Sequence, residues 1–472
     1  MNSGMNMDYG ALVPEIVLLA GAVVVLLGGS FLPRRGQGPT RFVAVVALLV
    51  AAALGVAQAG SPSSTVFDGT YALDPATATV RIVAPLAALA VLLLGRPELI
   101  GSVRESETSS LLLLSTLGTV VLAGADDLLI VSTGYLLGSI PLYALIGMGR
   151  SGRAAEASLK TYLLGAVLGV TLLGGIVVLA GVGGSTTYGA LARTLAHAPA
   201  AAVALGAVAV LLGLLFKAGG VPGHFWVPDA TEASSRAVAA FLTTVPKVGA
   251  LIAAARFVAV LPTTVDLPLL IGLLAAASMT VGNLAAFWQT DVRRLLGWST
   301  VSQVGYLLLP VAVVRDERTA VPALLVYLAC YTAANLTAFA VVAALPERRT
   351  IDDWAGAARA HPLLTAALVV GLLSLVGTPP TAVFFGKLAV FTAAWSGGLG
   401  WLVVIAAVNT VASLFYYLRW IAGAARPARA AEAPPTRAGR APSAVAFALT
   451  IVVLGAGVAL FPIIGAGAAL TR

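Results

Sequence analysis

Apolar residues gather into fourteen long runs along the chain, at 11–31, 41–59, 76–95, 109–124, 128–148, 157–181, 200–219, 237–260, 267–288, 292–312, 321–344, 362–394, 400–421 and 441–468. A helix needs about 20 predominantly apolar residues to cross the hydrocarbon core of a bilayer, and most of these runs reach that length. The connections are short. The pattern predicts an all-α, polytopic membrane protein of about fourteen transmembrane helices. The first run follows Asp8 and has no small-residue cleavage site after it, so it reads as a retained helix rather than a signal peptide. No loop is long enough for a soluble domain. The longest, Arg426 to Arg440, is rich in Ala, Pro and Arg and is expected to be a flexible cytoplasmic linker.

Composition agrees with the pattern. Of 472 residues, 28 are basic and 20 acidic, and 59% are hydrophobic. Soluble domains carry roughly 25% charge, so a cytosolic enzyme, a disulfide-stapled secreted protein and a disordered chain are excluded. The basic residues are placed unevenly. Seventeen arginines, from Arg34 and Arg35 to Arg437 and Arg440, fall in loops after odd-numbered helices, against Arg193, Arg315 and Arg318 after even-numbered ones. By the positive-inside rule, both termini are expected on the non-cytoplasmic side. The net charge of +8 is then a topology signal, and no nucleic-acid partner is expected.

The single cysteine, Cys330, and three scattered histidines, His197, His224 and His361, offer no cluster for haem, iron–sulfur or zinc. No cofactor is expected on this chain, nor is a fused transport ATPase or soluble redox domain.

Only four lysines occur: Lys160, Lys217, Lys247 and Lys387. Lys160 opens a helix, where snorkelling to the interface is the bland reading and a buried role the other. Lys247 stands eleven residues into the eighth run, roughly 16 Å from its end at 1.5 Å per residue. A charge at that depth costs about 2.5–3.5 kcal/mol even on the lenient insertion scale. Lysine, unlike arginine, can shed its proton in such a place. After Lys217 come Gly219, Gly220, Pro222, Gly223 and Pro228, and before Lys387 come Gly377, Pro379 and Pro380. Such residues break the helical ladder, and paired breaks in the seventh and twelfth helices point to an ion path. Between Lys217 and Lys247 lie His224, Trp226, Asp229, Glu232 and Arg236, and His224 is a candidate proton relay.

Several of these stretches resemble a known family. Phe216-Lys217, then Pro222-Gly223-His224-Phe225-Trp226-Val227-Pro228-Asp229 and Glu232, is similar to the signature of the antiporter-like membrane subunits of respiratory complex I, the subunit N group in particular. Further matches are Glu156 to Ala166 (EASLKTYLLGA), Pro246-Lys247, Asp291 to Leu309 (DVRRLLGWSTVSQVGYLLL), Gly377 to Lys387 (GTPPTAVFFGK) and Tyr416-Tyr417-Leu418-Arg419. The resemblance implies two inverted five-helix repeats, at 109–261 (helices 4–8) and 262–421 (helices 9–13). A three-helix segment at 1–108 would precede them, and a linker with a last helix at 422–472 would follow. It further implies a proton path in which Lys217 and Lys247 form a first half-channel, His224 lies on the polar connection and Lys387 serves the exit. NADH and quinone would be used elsewhere in the complex, whose other membrane-arm subunits, with the lipid bilayer, are the implied partners. A bacterial inner membrane is the implied location.

One position departs from the resemblance. The fifth helix of the family carries a glutamate paired to the position of Lys217, but here Gly134-Tyr135-Leu136-Leu137-Gly138-Ser139-Ile140-Pro141 puts Leu136 in its place. Asp126 and Asp127 lie nine or ten residues earlier, about 14 Å along a helix and out of reach. Without an anion, burial favours the neutral amine. Two further readings therefore stand beside the first: a subunit of a cation/proton antiporter complex, and a transport-impaired structural paralogue.

Overall fold

The computed structural model describes residues 8–149, 151–427 and 437–470. Arg150, Arg429, Arg472 and most of the 426–440 linker lie outside the described residues.

The N-terminal part consists of α1 (Val13–Phe31), α2 (Gly38–Gln58), α3 (Pro75–Leu94) and the short α4 (Arg96–Leu99). A two-stranded hairpin, β1 (Ser64–Val66) and β2 (Tyr71–Leu73), joins α2 to α3 and departs from the all-helical expectation. Asp74 ends the hairpin by capping α3, its carboxylate accepting the Thr77 N–H. Next come α5 (Glu105–Gly124), α6 (Leu128–Gly147), α7 (Gly152–Gly183), α8 (Tyr188–Thr194), α9 (Ala200–Ala218), α10 (Trp226–Ala233), α11 (Arg236–Leu242) and α12 (Val245–Val260). After them run α13 (Leu267–Phe287), α14 (Val292–Ala312), α15 (Ala320–Ala344), α16 (Ala357–Ala360), α17 (Pro362–Val376), α18 (Ala382–Ser396) and α19 (Gly400–Ala425), and α20 (Arg440–Leu470) closes the chain. Among the described residues, 13 helices are long and apolar enough to cross a membrane, or 14 with α17 and the segment bent 120° against it.

Local chemistry recurs at matching places in the two central blocks. Asp127 caps α6 and pairs across a bridge with Thr187; Asp291 caps α14 and pairs across a bridge with Thr350. Both aspartates satisfy N–H groups that a helix start leaves orphaned. The α9 and α17 helices each end on a left-handed glycine, Gly219 (φ 81°) and Gly377 (φ 92°), a backbone state closed to most side chains.

Two apolar runs are divided where hydrophobicity alone reads them as continuous. The twelfth becomes α17 and α18, and the eighth becomes α11 and α12. In the eighth, Thr243 and Thr244 turn their hydroxyls back onto the Ala239 and Ala240 carbonyls, and Pro246 brings no N–H. Lys247 therefore stands in the first turn of α12 and not deep within one unbroken helix.

Packing places these breaks at the centre. The α10 and α12 helices rest on α14, and α11 rests on α15, so the segment around Lys247 forms the seam between the two blocks. Both α12 and α14 are almost wholly buried, whereas α7 and α19 turn much of their apolar surface outward. That outward surface suits a lipid environment or neighbouring membrane chains.

Candidate functional site: three lysines on neutral seats

A proline withholds an N–H from the carbonyl four residues before it. Pro222 withholds one from Ala218, and Pro379 and Pro380 withhold two from Leu375 and Val376. These carbonyls are the last of α9 and α17, and each must find another donor. The rest of each helix end is closed locally. Gly219 N–H donates to the Leu215 and Phe216 carbonyls, and Gly377 N–H to those of Leu373 and Ser374.

Lysines take up two of these three carbonyls, those of Ala218 and Val376. Lys247 Nζ donates to the Ala218 carbonyl at 2.7 Å, and Lys387 Nζ donates to the Val376 carbonyl at 2.8 Å. Each ammonium thus caps the negative end of a half-helix, where a cation is favoured. The glycine beside each seat leaves room for it. A Cβ on Gly219 would stand 2.9 Å from Lys247 Nζ, and one on Gly377 would stand 2.9 Å from Lys387 Cδ.

Lys217, the penultimate residue of α9, turns to α6 instead. Its Nζ donates to Ser139 Oγ at 2.9 Å and to the Tyr135 carbonyl at 3.4 Å. Gly138 lies under it, since a Cβ there would approach Nζ to 2.7 Å. Leu136 sits at the rim of this face and is 41% exposed.

An aromatic ring completes each seat. Lys217 Nζ lies 5.5 Å from the Tyr135 ring centre, Lys247 Nζ 5.6 Å from that of Trp226, and Lys387 Nζ 4.0 Å from that of Tyr306. Ring faces attract cations, and more strongly where water is excluded. The three lysines are 2%, 0% and 4% exposed, and among the described residues none forms a salt bridge. Seats of carbonyl, hydroxyl and ring hold an amine without supplying a counter-charge.

His224 occupies the α9–α10 connection, buried between Phe225 and Trp298 at ring-centre distances of 4.1 and 5.6 Å. Among the described residues its buried Nδ1 has no hydrogen-bond partner. Lys217 and Lys247 meet at one break, since Lys247 grips the residue next to Lys217, whereas Lys387 belongs to the other break. The seam between them is polar. Tyr331 Oη donates to the Thr243 carbonyl, and Asn335 Nδ2 donates to Thr243 Oγ1.

Residues 125–413 match the family model described as NADH:quinone oxidoreductase/Mrp antiporter, TM. The chain belongs to this NADH:quinone oxidoreductase/Mrp antiporter family. It is 52% identical over 466 residues to NADH-quinone oxidoreductase subunit N 1 of Streptomyces griseus, covering 98% of each chain. A chain of respiratory complex I from Thermus thermophilus superposes with a TM-score of 0.82 at 32% identity, covering 94% of this chain and 97% of that one. A chain of the Mrp complex from Dietzia superposes with a TM-score of 0.82 at 23% identity, covering 97% and 96%, which is a likeness of fold.

This family member also carries a charged rim. Lys160 pairs with Glu156 at 2.6 Å and with Asp229 at 3.3 Å, while Arg294 pairs with Asp229 at 2.7 Å and with Glu232 at 2.9 Å. Lys160 lies in the third turn of α7, not at a helix start, and is half-exposed. Asp229 and Glu232 belong to this rim network, and Arg236 reaches away to Glu98 at 2.8 Å. Tyr135, Ser139 and Tyr306, with Thr410, whose Oγ1 accepts from Lys387 Nζ at 3.4 Å, are site residues that sequence reading missed. Their only signal was a hydroxyl or an aromatic ring inside an apolar run.

Proposed function

We infer that the chain is the proton-translocating subunit N of the membrane arm of an NADH:quinone oxidoreductase, with Lys217, Lys247 and Lys387 as its proton-carrying groups and His224 as a relay. The observation that carries this reading is the trio of buried amines, each on a seat without an anion. Such an amine changes charge when a charge nearby changes, which is what coupling to a distant redox step requires. Electron transfer, with NADH and quinone, belongs to other subunits, and this chain supplies the path.

In this scheme a proton reaches Lys217 from the cytoplasmic side, passes to Lys247 at the same break, crosses the seam and leaves through Lys387. The arginine asymmetry supports placing both termini on the non-cytoplasmic side. The blocks 109–261 and 262–421 are read as the inverted repeats, supported by their matching aspartate caps, glycine ends and lysine-seated carbonyls.

Membrane vesicles carrying the assembled complex test the reading. Lys217→Ala, Lys247→Ala and Lys387→Ala should each lower the protons moved per NADH oxidised while the complex still assembles. An unchanged ratio in all three would make the chain a structural paralogue. The similarity in fold to the Mrp complex keeps a cation/proton antiporter as the other outcome, which sodium efflux without NADH would reveal.

A further inference from the structure

Pro379 and Pro380 free two adjacent carbonyls, but Lys387 takes only one of them. The other, that of Leu375, receives Gln303 Nε2 at 2.9 Å. Gln303 lies within α14, 0% exposed, and its Oε1 accepts the hydroxyl of Tyr327 from α15. The direction of this chain is fixed by chemistry. A backbone carbonyl only accepts, so the amide must turn its nitrogen to Leu375 and its oxygen to Tyr327, which must then donate. One turn further along α14, Tyr306 places its ring against Lys387 Nζ, and Thr410 Oγ1 donates to Tyr306 Oη at 3.2 Å. A single helix therefore provides a wall of the lysine seat and the strut on the neighbouring carbonyl.

We propose that Gln303 is a positioning residue for Lys387: by holding the carbonyl freed by Pro379, it leaves the carbonyl freed by Pro380 as the one seat open to the ammonium, and Tyr327 sets the orientation of the amide. Without the amide, two equivalent carbonyls lie side by side at the end of α17 and the ammonium divides between them. An amine displaced by one carbonyl loses its place over Tyr306 and its 3.4 Å approach to Thr410 Oγ1. The inference rests on Lys387 carrying protons.

The experiment uses the assembled complex in vesicles, with quinone reduction and proton uptake measured together. Lys387→Met sets the share of the proton-to-electron ratio that depends on the lysine. Gln303→Met, close in shape but unable to make either bond, should remove most of that share while uncoupled quinone reduction stays at the parent level. One net hydrogen bond corresponds to about fivefold in the population of the seated lysine. Gln303→Glu adds a readout that packing alone would not move. Its protonated carboxyl can donate to Leu375 and its carboxylate cannot, so coupling should recover as pH falls and fail as pH rises. Should Gln303→Met not assemble, this pH profile decides alone. A parent-like ratio in Gln303→Met, or a pH-independent Gln303→Glu, overturns the positioning role while a defect in Lys387→Met leaves the proton path standing. A parent-like Lys387→Met overturns both.

Discussion

Pro222, Pro379 and Pro380 act on residues four positions before them, and through those residues Pro222 and Pro380 act on lysines, and Pro379 on Gln303, carried by other turns of the chain. The lysines and the prolines were legible in the sequence because each is rare in an apolar run. The seats were not, because every residue has a carbonyl and only the fold shows which ones are left without a donor. Gly377 shows how tight the arrangement is. Gly377→Ala forces a left-handed residue to carry a Cβ, which costs about 1–2 kcal/mol, and sets that carbon against Lys387. The purified complex should melt earlier, and proton translocation should fall by more than quinone reduction. Leu136 poses the opposite case. The resemblance led us to expect a carboxylate there, and the structure gives Lys217 Ser139 and a carbonyl in its stead. Leu136→Glu should raise the proton-to-electron ratio. An unchanged ratio would mean that the neutral seat suffices.

Among the elements, the long helices were the easy part, since each owes its existence to a continuous apolar stretch. What hydropathy could not show was the division of α11 from α12, because Thr243 and Thr244 read as tolerable within an apolar run until their hydroxyls are seen to compete for the backbone. The β1–β2 hairpin escaped for a similar reason, being three residues a strand. Asp74 at its end ties α3 to α12 through Arg256, 2.6 Å away. Burial acts to raise its pKa, but the hydrogen bond and charge of Arg256 outweigh it and hold the carboxyl below its usual value. A carboxyl held low stabilises the fold above its ordinary pKa, and that stability is lost as pH falls through the lowered one. Asp74→Asn should therefore lower the melting temperature at neutral pH, by the equivalent of about 1.5–3 kcal/mol for a charged hydrogen bond. It should also flatten the decline on the acid side. Thermal unfolding followed across pH checks both.

For the whole molecule, the arginine count predicts which face each loop occupies, and the buried state of Cys330 makes this directly measurable. An impermeant maleimide should find little to label in the parent. Gly36→Cys, in the exposed α1–α2 loop, should react from the cytoplasmic side only, and exposed Ser61→Cys, before β1, from the opposite side only. Labelling of both from one side would reverse or refute the topology. The family and the number of spans were legible from motif order and hydropathy. The joining of the two blocks at α14 was not, because it depends on contacts between segments far apart in sequence.

A carboxylate loses most of its hold on a lysine once the lysine becomes neutral, since the attraction of opposite charges is then gone. A carbonyl does not. The neutral amine keeps two N–H donors, so Lys247 can remain on Ala218 and Lys387 on Val376 whether or not the proton is present. Discharge and recharge then require no swing of a long side chain and no repair of a broken ion pair. On the proposed path each lysine is then a fixed stepping stone whose occupancy changes while its position does not, and the timing of transfer falls to whatever brings charge to the seam.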